Sequence, residues 1–137
     1  MNRVEDKIEE IEGYTQELSE MIPLNFEEYK SDLRTKAACE RYFEKIVEAV
    51  VDLSFLIIKD NKLKTPEEEK QSFEILYKNE IISKKLSEKM QDAKGVRNIL
   101  AHEYGKIDDE LVFDSIKDEF IADVEMFIKQ IRTFLKK

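Results

Sequence analysis

Apolar residues recur along most of the chain at the spacing of helices, not strands. Val4, Ile8, Ile11, Thr15, Leu18 and Ile22 are separated by alternating steps of four and three. This predicts a helix from about Asn2 to Ile22, ended by Pro23. Asn25, with Glu28 three residues later, reads as a capping box opening the next segment. A long helix follows to about Ile58, and a break near Ser31 is compatible with the pattern. Its ladder is Cys39, Phe43, Ile46, Val50, Leu53 and Ile57, flanked by Tyr42, Ala49 and Leu56 and widened by Val47, Val51 and Ile58. Only a narrow stripe (Arg41, Glu44, Lys45, Glu48, Asp52) is polar, so this helix should be the central one. After a polar loop over 60–64, Thr65-Pro66-Glu67-Glu68 has the form of a helix start, with an N-cap, Pro at N1 and a capping-box Glu. A short helix then carries Phe73, Leu76 and Tyr77. Ser83 should cap a fourth helix running to about Tyr104 and stopping at Gly105. Beyond Asp108 and Asp109, Phe113, Ile116, Phe120, Val124, Phe127, Ile131 and Phe134 form the stripe of a last helix. The expected fold class is all-α: an antiparallel bundle of about five helices forming a single domain over 1–137.

Composition narrows this picture. The chain is 42% hydrophobic and 39% charged, with 3 Gly and 2 Pro, which argues against a turn-rich β sandwich. Cys39 is the single cysteine, so neither an internal disulfide nor a thiolate metal cluster can form, and no metal or cofactor is expected. No signal-like segment opens the sequence. The longest apolar run, around Val50 to Ile58, is interrupted by Asp52. No membrane association and a soluble, cytoplasmic protein are the expectation. A net charge of −8 disfavours a general nucleic-acid coat. The charge is uneven, however. From Ile81 to Lys106 positive residues outnumber negative ones, through Lys84, Lys85, Lys89, Lys94, Arg97 and Lys106 against Glu88, Asp92 and Glu103.

The fourth helix breaks its own rule inside that positive segment. Leu86, Met90, Ala93, Arg97, Leu100 and Tyr104 form a core-facing ladder with an arginine in it. A guanidinium there must be paired or must face a partner, because an unpaired buried charge is very costly. Glu48 and Asp52 of the central helix are the candidate partners. A second ladder of Gln91, Gly95, Asn98 and His102 is polar and small. Gly95 costs about 1 kcal/mol relative to alanine in a helix, which marks it as a close-approach position for a partner helix or a nucleic-acid backbone. His102, the only histidine, titrates near neutrality when unperturbed. Arg97 and His102 differ by about 140° around an ideal helix. They converge only if the helix end loosens or if two subunits each bring one face. Arg97 and Tyr104 share a face. A structural reading of Tyr104, as a ladder aromatic closing the bundle, stands beside any chemical role.

Arg97, four intervening residues, His102, one residue and Tyr104, with Asn98 directly after the arginine, resemble the signature of the HEPN superfamily and its HepT toxin branch. The run from Ala38 to Glu44, continuing through Val47-Glu48-Ala49, is similar to the family's second helix. The Pro66 helix start and the Phe73–Leu76 helix stand in the family's order. The resemblance implies an α-helical toxin of a toxin–antitoxin module acting as a metal-independent endoribonuclease. It implies a homodimer with its two motifs facing across a cleft. It also implies a minimal nucleotidyltransferase antitoxin that transfers AMP to the motif tyrosine, here Tyr104. The residue types suit that chemistry. His102 can take or give the proton as a 2′-OH attacks the adjacent phosphate. Arg97 can bond two oxygens of the phosphorane without deprotonating. Asn98 can orient the phosphate or fix the His102 tautomer. AMP on Tyr104 would put a negative charge beside Arg97 and compete with RNA. The alternative is a non-catalytic module of the same fold that scaffolds the nucleotidyltransferase, which the acidic net charge and Glu103 favour. A plain helical bundle leaves Arg97 unexplained.

Overall fold

The computed structural model describes residues 2–102 and 108–137. Every regular element among them is helical. Helix α1 (Arg3–Met21) starts where the Asn2 side chain accepts from the backbone N–H of Val4 and Glu5. It stops where Ile22, the residue before Pro23, turns to ψ 125°, since a following proline disfavours the helical region. Val4, Ile8, Ile11, Thr15 and Leu18 are buried as the ladder requires, and Ile22 is half-buried. Thr15 is accommodated because its hydroxyl donates to the Ile11 carbonyl at 2.7 Å.

The predicted break near Ser31 falls one residue later. Helix α2 (Phe26–Ser31) and helix α3 (Leu33–Asp60) share Asp32 as the end of one and the cap of the other. One Asp32 oxygen accepts from the N–H of Arg34 and Thr35, and the other accepts from the Thr35 hydroxyl at 2.7 Å. These bonds hold its carboxyl below the usual range. Asn25 caps α2 by accepting from Glu28 N–H at 2.9 Å. This is one half of the expected box. Among the described residues the Glu28 side chain returns no bond. The 28 residues of α3 make a rod about 42 Å long. All six ladder positions from Cys39 to Ile57 are buried, so α3 is the central helix.

Helix α4 (Glu69–Lys78) begins later than the Thr65-Pro66 signature suggests. Pro66 is buried in the connecting segment. The first turn is fixed instead by the Gln71 side-chain oxygen, which accepts from the N–H of Glu67 and Glu68 at 2.8 and 3.3 Å. Helix α5 (Lys84–His102) is capped by Ser83, whose hydroxyl accepts from Leu86 N–H. The predicted stop at Gly105 lies outside the described residues. The predicted last helix is continuous but not uniform. Helix α6 (Asp109–Asp114) and helix α7 (Ile121–Leu135) are joined through a π-helical stretch, Ser115–Phe120. Its stripe from Phe113 to Ile131 stays buried throughout.

Contacts running in opposite senses make α1 and α3 antiparallel: Lys7 meets Asp52, whereas Tyr14 and Glu17 meet Tyr42. Helices α4 and α5 pack together on α3, and α7 closes the bundle against α1 and α5. Arg132 of α7 bonds Glu5 and Glu12 of α1 at 3.1 and 2.6 Å, tying both ends of the chain. No helix among the described residues is long and apolar enough to cross a membrane.

Candidate active site

The two ladders of α5 are packed differently. Leu86, Met90 and Leu100 are buried, and Ala93 is half-buried. The helix is thus anchored on both sides of its arginine. Arg97 faces α3, and its Nη2 bonds Glu48 Oε1 at 2.6 Å. The predicted choice between Glu48 and Asp52 therefore resolves to Glu48. Asp52, one turn further along α3, is exposed and lies 3.7 Å from Lys7 instead. Its side chain points round the helix toward α1, away from α5. Arg97 is only about one-fifth exposed, and its Nε is buried with no hydrogen-bond partner. Such an orphan donor costs about 1–3 kcal/mol, and the guanidinium is held at its other end by the short ion pair to Glu48.

Asn98 is the second member. Its side-chain oxygen accepts from Lys94 Nζ at 2.7 Å and stands 3.4 Å from Arg97 Nη1. Lys94 is buried, and its ammonium also pairs with Glu69 Oε2 of α4 at 3.3 Å. A continuous polar chain therefore runs across three helices: Glu69, Lys94, Asn98, Arg97, Glu48. Sequence reasoning missed Lys94 and Glu69 as members of this chain. For Lys94 the usable signal was its spacing, since 94, 98 and 102 form one row of the helix at steps of four. Nothing local to Glu69 could have signalled its part.

Gly95 is a close-approach position, but its neighbour is a side chain. A Cβ there would stand 3.4 Å from Lys70 Nζ of α4. His102 is the last described residue of α5 and is exposed one turn beyond Asn98. Tyr104 and Glu103 lie outside the described residues. No group of His, Cys, Asp and Glu able to hold a metal ion occurs among the described residues. A groove of about 680 Å³ between α1 and α7 is lined by Thr15, Val124 and Arg132 and by no member of this cluster.

This geometry sits in a chain whose residues 5–131 match the model of the HepT-like ribonuclease family. The chain belongs to that family, and its enzymatic class is ribonuclease. It is 31% identical over 135 residues to a putative RNase of Archaeoglobus fulgidus, covering 98% of this chain and 97% of that one. It is 26% identical over 132 residues to the tRNA nuclease HepT of Aphanizomenon flos-aquae, covering 96% of this chain and 89% of that protein. Its fold is that of the tri-AMPylated Shewanella oneidensis HEPN toxin in complex with an MNT antitoxin, with a TM-score of 0.90 at 24% identity over 97% of this chain and 99% of that one. The all-α expectation and the resemblance read from the motif are both borne out.

Proposed function

We propose that this protein is the toxin of a toxin–antitoxin pair, a metal-independent endoribonuclease that works as a homodimer in the cytoplasm. Its cognate antitoxin is a minimal nucleotidyltransferase that silences it by transferring AMP to Tyr104. The observation that carries the reading is the Arg97–Asn98 pair, anchored by Glu48 and Lys94 on the helix that ends in His102. The relatives named as nucleases and the AMPylated toxin of the same fold support it.

The chemistry follows from those groups. The ribose 2′-oxygen attacks the adjacent phosphorus, forming the P–O2′ bond as the P–O5′ bond breaks. The 2′-OH proton passes to His102, and the departing 5′-oxygen takes up a proton. Arg97 and the Asn98 amide nitrogen meet the charge that builds on the phosphorane oxygens. The products are a 2′,3′-cyclic phosphate and a 5′-hydroxyl. AMP on Tyr104 would add a phosphate to the motif, and that phosphate would compete with the RNA backbone for the Arg97 guanidinium.

Expression without the antitoxin should arrest growth, and His102→Ala or co-expression of the antitoxin should restore it. Purified protein should cut labelled RNA to cyclic-phosphate ends, with Arg97→Ala inactive. Full cleavage by His102→Ala would falsify the assignment. Binding of the nucleotidyltransferase without cleavage by any form would favour the scaffold reading, which the net charge of −8 also favours.

A further inference from the structure

Lys94 is a buried cation that the reaction above does not use. It is 5% exposed, between Ala93 and Gly95 on α5. Lysine is rarely buried without a purpose for its charge. Its ion-pair partner Glu69 is mostly exposed and stands 3.3 Å away, whereas Asn98 Oδ1 lies at 2.7 Å. The shorter contact is therefore with the neutral amide.

The contact has a directional consequence. An ammonium has donors and no acceptor. It can face only the oxygen of the Asn98 amide, so the amide cannot flip. Arg97 Nη1 approaches the same oxygen. The Asn98 nitrogen is thereby turned away from both cations, and among the described residues nothing accepts from it. We propose that Lys94 is a positioning residue: it locks the Asn98 amide so that its N–H donors, beside the Arg97 guanidinium, are aimed at an oxygen of the reacting phosphate. This rests on the ribonuclease reading of the motif. Without the lock, the amide would sample both orientations, and half of them would present its oxygen to an anionic phosphate.

The test uses the full-length protein. Lys94→Met keeps the buried stem and removes the donors. It should lower kcat roughly tenfold or more while KM changes less than about threefold, because the interaction matters most in the transition state. Adding Lys94→Met to Asn98→Ala should cost little further, since the two act as one unit. Lys94→Arg, which like lysine has donors and no acceptor, should recover much of the loss. The Asn98 side-chain amide should be rigid by NMR relaxation in the wild type and mobile in Lys94→Met. Undiminished kcat in Lys94→Met, full additivity with Asn98→Ala, or a folded Lys94→Arg protein with a loss as deep as that of Lys94→Met would overturn the proposal. Thermal unfolding separates a folding defect from these readouts, and Lys94→Gln, whose amide can present its oxygen as readily as its nitrogen, should lose kcat in the same way and carries the test if Lys94→Met does not fold. If the wild type cleaves no RNA, the ribonuclease reading fails. The NMR measurement then decides the positioning by itself, and an equally rigid amide in both proteins sinks it.

Discussion

Arg97 is the residue whose environment says most about the site. Its one short bond goes to Glu48, and its Nε has none. Removing Glu48 leaves a mostly buried guanidinium with only the long contact to Asn98. We expect Glu48→Ala to destabilise the protein by about 1–3 kcal/mol, the cost of leaving a buried donor unsatisfied, measured by urea unfolding. A loss below about 0.5 kcal/mol would mean the pair behaves like an ordinary surface ion pair. Cys39 provides a second measurement. Burial foremost, and then the neighbouring Glu40 carboxylate, push its thiol from 9.0 up to about 11. A folded-state value above the unfolded one means stability that is complete below about pH 9 and is lost as pH rises toward 11. Between about pH 8 and pH 10.5, the wild type should lose about 2 kcal/mol more than Cys39→Ala. Parallel losses in the two proteins would show that the thiol does not titrate with folding.

At the scale of elements, the helices themselves were legible because each buries a stripe that repeats every three or four residues. Their starts were less so. Thr65-Pro66 has the chemistry of a helix start, yet Gln71 reaches back to Glu67 and Glu68 and sets the first turn there. That competition lies in side-chain reach, which spacing does not reveal. The π-helical stretch Ser115–Phe120 was invisible for a related reason: the apolar stripe runs through it unbroken. Within the site, the anomaly of Arg97 on a core ladder was readable and correctly called for a carboxylate on α3. The choice of Glu48 over Asp52 required knowing how far round α3 each side chain projects. Gly95 was readable as a small position, but its neighbour Lys70 came from a helix whose packing partner the sequence does not name. Gly95→Ala should therefore stabilise α5 by about 0.5–1 kcal/mol, because the flexible end of Lys70 can move aside. The gain would appear as a higher melting temperature. A decrease would mean that the α4–α5 contact needs the missing side chain. A stability gain accompanied by lost RNA cleavage would identify Gly95 as the place where substrate approaches the helix.

The whole molecule must reconcile a charge of −8 with an anionic substrate, and it concentrates cations along α5, where Lys84, Lys85, Lys89, Lys94 and Arg97 outnumber Glu88 and Asp92. It must also reconcile a two-residue chemistry with one helix. Arg97 faces α3, where Glu48 holds it, while His102 is exposed at the end of α5. The positions lie about 140° apart on an ideal helix. A second subunit related by a two-fold axis would bring the arginine of one chain opposite the histidine of the other, giving two equivalent composite sites. Mixed subunits test this directly. Arg97→Ala and His102→Ala proteins should each be inactive alone. In a heterodimer, one composite site has both residues mutated and the other has both intact. With random exchange half of the dimers are mixed, and each retains one of two sites, so unfolding and refolding the two proteins together should restore about a quarter of wild-type cleavage. The recovered activity should rise and fall with the fraction of heterodimer, resolved by native mass spectrometry of one isotope-labelled partner. If each chain carried both residues of its own site, every site in the mixture would lack one of them. No activity would then return however completely the subunits exchanged.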